Sequence, residues 1–154
     1  MTRASCIERV AAAIASIRLG HPTRVAIDGV DGAGKTRLAD ELVEPLERMG
    51  RKIIRALVDG VFLRRPELAA SWDFGIRVGV PFGVTVSRAV SRDAAGSDQA
   101  AAIQARYERR YVPGQLLYLE RCRPRDAADI TFDNAEFENP ELRHRPGAEG
   151  AVQP

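Results

Sequence analysis

The segment Gly29-Val30-Asp31-Gly32-Ala33-Gly34-Lys35-Thr36 has the spacing GxxxxGK[ST], and each residue type in it has a physical task. Glycines let several backbone N–H groups curl around a phosphate chain, and a helix starting at the loop's end adds its partial positive charge. Lys35 is then placed to reach the terminal phosphates, and the Thr36 hydroxyl to hold Mg2+. Arg37 follows directly and joins the candidate binding set. Lys35 and Lys52 are the only lysines in a chain that otherwise uses arginine for positive charge. A slim point charge is thus kept where a phosphate cradle needs one.

Phosphoryl transfer also needs a carboxylate near the metal, usually at the end of a strand beside the loop. Asp59 fits, because Ile53, Ile54, Leu57 and Val58 make a mainly apolar approach to a terminal Asp-Gly. Its competitor is Asp28, immediately before the loop, while Asp31 inside the loop faces either substrate or solvent. Arg88 and Arg92, four apart, share one helix face. Arginines that close over a transferring phosphoryl group stabilise its charge and exclude water. Arg106, Arg109 and Arg110 are weaker candidates for that task, and Tyr107 with Tyr111 reads as helix packing.

Strands and helices must position these groups. Arg24-Val25-Ala26-Ile27-Asp28 reads as a buried strand entering the loop, and Leu38, Leu42 and Val43 give the following segment helical periodicity. Cys6, Val10, Ile14 and Ile17 predict an amphipathic first helix ending near Gly20 and Pro22. Residues 52–60 read as a strand, 65–70 as a short helix and 74–80 as a strand closed by Pro81. Helices are expected over 84–95, over 99–111 with a stop at Pro113-Gly114, and over 116–121, before a last strand at 129–132. This alternation predicts an α/β fold, with a parallel sheet of about four strands covered by helices on both faces. From Glu138 onward, prolines and glycines among charges predict a flexible tail over 138–154, which leaves one domain over 1–137.

Composition narrows the classes. The 154 residues carry a net charge of +2 with no basic run interleaved with aromatics, so nucleic acid is not the expected partner. Cys6 and Cys122 form no C-x-x-C pair, and with His21 and His144 isolated they suggest neither a zinc site nor a disulfide framework. No apolar run approaches bilayer length, so no membrane is expected and the chain reads as cytoplasmic. The guanine-reading N-K-x-D and the transporter L-S-G-G-Q motifs are absent. Nothing in the pattern indicates an oligomeric state.

The segment VAIDGVDGAGKTRLADEL (25–42) resembles the phosphate loop of the uridine kinase-like P-loop nucleoside kinases, especially a bacterial branch. VDGVFLRRPEL (58–68), VPFGVTVSRAVSRD (80–93) and RYERRYVPGQLLYLERCRPRDAADITFDN (106–134) are similar to the same family, in the same order. The resemblance implies a P-loop NTPase-type fold, ATP with Mg2+ as cofactors, and transfer of the γ-phosphoryl group to a nucleoside or another small hydroxyl acceptor. It makes Gly29 to Thr36 the ATP site, Asp59 the Walker-B-like carboxylate, and Arg88 and Arg92 the lid arginines. In relatives a strand after the loop helix ends in an aspartate that serves as base, and a long nucleoside-binding segment follows it. Here residues 50–56 look like the start of that strand and run straight into 57–63, which look like the end of a later one. The fused strand is expected beside the first, where it would bury Ile53, Ile54, Leu57 and Val58. The fusion also admits a catalytically impaired nucleotide-binding protein. DGAGKT admits a thymidylate kinase-like nucleotide kinase, although no Asp-Arg-Tyr or Asp-Arg-Phe follows a strand.

Overall fold

Strand β1 (Val25–Gly29) runs through the centre of the molecule with all five residues buried. The computed structural model describes residues 1–50, 57–94 and 99–145. Before β1 lies helix α1 (Arg3–Ser16), N-capped by the Thr2 side chain, which accepts from the Ser5 N–H. After it come the loop and helix α2 (Lys35–Arg48). Strand β2 (Leu57–Gly60) is followed by a 3-10 turn (Pro66–Ser71), strand β3 (Phe74–Gly79) and helix α3 (Phe82–Asp93). Helix α4 (Ala100–Arg106) leads through a π turn (Tyr107–Tyr111) into α5 (Val112–Cys122). A single helical turn, α6 (Pro124–Ala127), then precedes strands β4 (Ile130–Asp133) and β5 (Glu141–His144).

The sheet order is β2-β1-β3-β4-β5. The first four strands are mutually parallel, and β5 pairs antiparallel with β4. Register and the two-residue period of a strand divide the sheet into two unlike faces. Val25, Ile27, Ile76, Val78, Ile130 and Phe132 fall on one face and build the main core with Val10 and Ile14 of α1 and Leu38 and Leu42 of α2. Asp28 and Arg77 are register partners on the other face, which α5 and α6 cover. The α/β architecture therefore stands, with helices on both faces and five strands where about four were expected.

Three expectations need correction. The stretch from Glu138 is not a loose tail throughout, because β5 pairs with β4 and the Cys6 thiol donates to the Pro140 carbonyl. The remainder of that segment, 146–154, lies outside the described residues. Pro113 does not stop a helix. The Val112 N–H donates to the Tyr107 carbonyl five residues back, and helical structure runs on from α4 through α5. A proline ring clashes with the carbonyl four residues before it, and the i+5 turn just ahead of Pro113 shifts that ladder. Finally, β2 lies beside β1, but as an edge strand, with Leu57 half-buried and Val58 40% exposed. No described strand lies beyond it to cover Val58. Ile53 and Ile54 fall outside the described residues.

Candidate functional site

The loop between β1 and α2 has the backbone that its glycines permit. Gly32 and Gly34 have φ of +76° and +92°, in the left-handed region that disfavours any side chain. A Cβ on Gly32 would also lie 2.4 Å from the Thr85 carbonyl oxygen, and one on Gly34 would lie 2.7 Å from Asn134 Nδ2. The turn closes through the Ala33 N–H, which donates to the Val30 carbonyl at 3.2 Å. Gly34 then caps α2, its carbonyl accepting from the Leu38 N–H at 3.0 Å. Lys35 Nζ donates to the Val30 carbonyl at 3.0 Å, so the ammonium lies over its own loop.

Parallel pairing of β2 with β1 sets Asp59 level with Ile27 and brings its carboxylate to the loop. The Thr36 hydroxyl donates to Asp59 Oδ2 at 2.7 Å, joining the two candidate metal ligands. A cavity of about 930 Å³ opens here, lined by Asp31, Lys35, Thr36, Arg37, Asp59, Arg88 and Arg92 among others. Burial pushes the Lys35 pKa down, and the charges of Asp31, Asp59 and Asp28 oppose that shift.

Asp28 is not available for metal work. It is fully buried, and its carboxylate is held by Arg77 Nη1 at 3.1 Å, the Tyr118 hydroxyl at 2.9 Å and the Leu63 N–H at 3.1 Å. Burial pushes both members of the Asp28–Arg77 pair toward their neutral forms, and their mutual attraction opposes it. Burial likewise raises the Tyr118 hydroxyl well above its ordinary range, with Asp28 adding to the rise. This polar cluster fixes α5 and the start of the β2–β3 connection beneath the loop.

Arg88 and Arg92 of α3 both border the cavity, but they are held differently. Arg88 donates to the Asn134 and Ala135 carbonyls, each at 3.0 Å. Arg92 donates to Asp93 at 2.7 Å and to the Tyr107 hydroxyl at 3.1 Å, and its side chain stays largely exposed. Tyr107 and Tyr111 pack edge to face with centroids 5.0 Å apart. Arg106, Arg109 and Arg110 are exposed and do not line the cavity.

Several site residues carry no signal in the sequence pattern. Asn134 follows β4 and is 2% exposed. Its Nδ2 donates to the Ala33 carbonyl and its Oδ1 accepts from Arg3 Nη1, both at 2.8 Å. Arg3 also pairs with Glu41 at 2.7 Å, so one buried arginine ties α1 to α2 and to the end of β4. The guanidinium groups of Arg3 and Arg37 each lie over the Phe137 ring, at 4.1 and 4.2 Å from its centre, and Phe137 forms a wall of the cavity. Gln115, 4% exposed, donates to Asp31 Oδ2 at 2.8 Å. These contacts join positions up to 134 residues apart, and only the fold brings them together.

Comparison with known proteins adds one finding. A crystal structure from Silicibacter sp. TM1040, of a protein provisionally named a fructose transport system kinase, matches with a TM-score of 0.60. The match covers 75% of this chain and 94% of that one at 15% identity. That likeness fixes the fold. No protein-family model matches the chain, and no curated protein matches it in sequence. Among the described residues, no helix is long and apolar enough to cross a membrane.

Proposed function

We propose that the chain is an ATP-dependent phosphotransferase that moves the γ-phosphoryl group to a hydroxyl of a small neutral acceptor, a nucleoside in the first instance. The observation that carries the proposal is the convergence of Lys35, Thr36 and Asp59 on one cavity, with Thr36 Oγ1 and Asp59 Oδ2 2.7 Å apart. A hydroxyl and a carboxylate are hard oxygen donors, which suits Mg2+ completed by water and phosphate oxygens. Thr36 and Asp59 would hold that ion, and when bound it would neutralise phosphate charge. The loop amides and the N-terminus of α2 bind the phosphate chain, and Lys35 adds a charge-assisted contact to its terminal groups. Arg88 and Arg92 supply positive charge at the mouth, where charge builds during transfer.

The resemblance to uridine kinase-like enzymes supports a nucleoside acceptor. The name given to the Silicibacter protein supports extending the acceptor screen to hexoses. A second reading, nucleotide binding without transfer, draws support from the fused strand at 50–63, which leaves out the nucleoside-binding segment that the resembled kinases carry there.

A calorimetric Mg-ATP titration, run beside a transfer assay with γ-labelled ATP over nucleosides and hexoses, separates the two. The expected result is binding together with transfer to at least one acceptor. Lys35→Ala should weaken binding about 10- to 150-fold, the equivalent of one charge-assisted bond of roughly 1.5–3 kcal/mol. Binding without transfer favours the second reading, and transfer unaffected by Lys35→Ala sinks the first.

A further inference from the structure

Transfer to a hydroxyl needs a group to take its proton, and three carboxylates surround Lys35. Asp59 is engaged with the Thr36 hydroxyl and is the candidate metal ligand. Asp28 is fully buried beneath Arg77, Tyr118 and the Leu63 N–H. Asp31 differs from both. It is half-buried, lines the cavity, and exerts the strongest pull of the three on the Lys35 charge. Its Oδ2 accepts from Gln115 Nε2, and among the described residues no hydrogen bond reaches its Oδ1.

Gln115 is itself informative. A buried side-chain amide is costly unless its hydrogen bonds are made, and this one reaches from α5 to a single loop carboxylate. The bond fixes the direction of one oxygen and so aims the other. Asp31 lines the same cavity as Lys35 and as Arg88 and Arg92 of α3. Lys35, the group that would hold the terminal phosphate, and the Asp31 carboxylate thus face one shared space.

We propose that Asp31 takes the proton from the acceptor hydroxyl and that Gln115 is the positioning residue that orients it; this rests on the phosphotransfer reading above. The hydroxyl oxygen forms its bond to the γ-phosphorus as its proton passes to Asp31. The bond from that phosphorus to the bridging oxygen breaks, and ADP leaves with the electron pair. A carboxylate in this role favours a neutral alcohol as acceptor. It also supplies from the loop a base that the resembled kinases carry at the end of the strand after the loop helix.

The test compares wild type, Asp31→Asn and Gln115→Leu by calorimetric Mg-ATP binding, thermal melting and steady-state transfer to the acceptor found for the wild type. Asp31→Asn keeps an oxygen for Gln115 and should melt like the wild type. It should bind Mg-ATP within about twofold and lose on the order of 10²- to 10⁴-fold in kcat. Gln115→Leu should lose about tenfold or more in kcat with the KM for ATP little changed, because a base misplaced by an ångström loses much of its effect. An Asp31→Asn kcat within threefold of wild type overturns the assignment. So does a parallel loss of Mg-ATP binding, which would make Asp31 a nucleotide contact. A Gln115→Leu protein with unaltered kcat overturns the positioning role. A wild type that binds Mg-ATP and phosphorylates no hydroxyl acceptor defeats the phosphotransfer reading itself, and with it this assignment.

Discussion

Asn134 illustrates what single residues contribute that spacing does not announce. The loop motif is local, so Gly29 to Thr36 can be read from eight consecutive letters. Its rigidity is not local, because the Ala33 carbonyl is held by an amide at the end of β4 and that amide is held in turn by Arg3. Removing the side chain takes this donor from the buried Ala33 carbonyl and one partner from Arg3, which keeps Glu41 and the Phe137 carbonyl. Asn134→Ala should therefore destabilise the fold by roughly 1–3 kcal/mol, the usual cost of leaving buried polar groups unpaired. It should also weaken Mg-ATP binding several-fold, since the loop loses its clamp. Asn134→Asp keeps the acceptor for Arg3 but turns a carboxylate toward the Ala33 carbonyl beside the proposed phosphate site. Its binding should suffer more than its stability. Urea melts followed by the fluorescence of the single tryptophan, paired with nucleotide titration, check both statements. Equal affinity in all three proteins would contradict the clamp.

At the scale of elements, the strand–loop–helix unit was legible because its residues satisfy local rules that agree with one another. The β5 strand was not. Glu141–His144 is bracketed by Pro140 and Pro146, carries alternating charge, and turns Leu142 half inward, so its composition is that of a tail and only its pairing makes it a strand. The passage through Pro113 was misread for a related reason, because a proline ends a helix only where the hydrogen-bond ladder has no i+5 turn to accommodate it. The entry to the sheet is held by a more explicit device. Asp73, just before β3, accepts from the Arg24 backbone N–H at 2.8 Å and from its guanidinium at 2.9 and 3.0 Å, just before β1. Hydrogen bonding from Arg24 lowers the Asp73 carboxyl from 3.8 to about 2. Because the folded value is depressed, the stabilisation is complete above about pH 4 and is lost as pH falls toward 2. Asp73→Asn should therefore flatten the acid limb of the stability curve over that window and leave its slope near neutrality unchanged. A series of urea melts from pH 2 to pH 7 would refute the assignment if the two proteins kept parallel acid limbs.

For the whole molecule, the sheet order β2-β1-β3-β4-β5 gathers the loop, Asp59, α3 and the end of β4 around one cavity. Asp59 reads as a strand-end acid, and its arrival at Thr36 depends on β2 pairing beside β1, which its apolar approach already implies and the register shows. The same topology leaves β2 at the edge of the sheet, with no described strand beyond it, while the loop lies between β1 and α2 in the core. Nucleotide should then act as a structural element, linking α2, β2 and the β4 end through its phosphates and Mg2+. Ligand that binds only the folded state adds RT ln(1 + [L]/Kd), about 2.7 kcal/mol at a hundredfold excess over Kd. In a chain of this size that corresponds to a rise in Tm of roughly 5–10 °C. Differential scanning fluorimetry with Mg-ATP should show such a rise in the wild type and little in Lys35→Ala. Omitting Mg2+ should reduce it, and Asp59→Asn should remove most of that Mg2+ dependence while leaving a residual shift from the loop and Lys35. A full shift in Asp59→Asn that still requires Mg2+ would mean that the metal is held elsewhere, and the pairing of β2 with β1 would then serve the sheet and not the site.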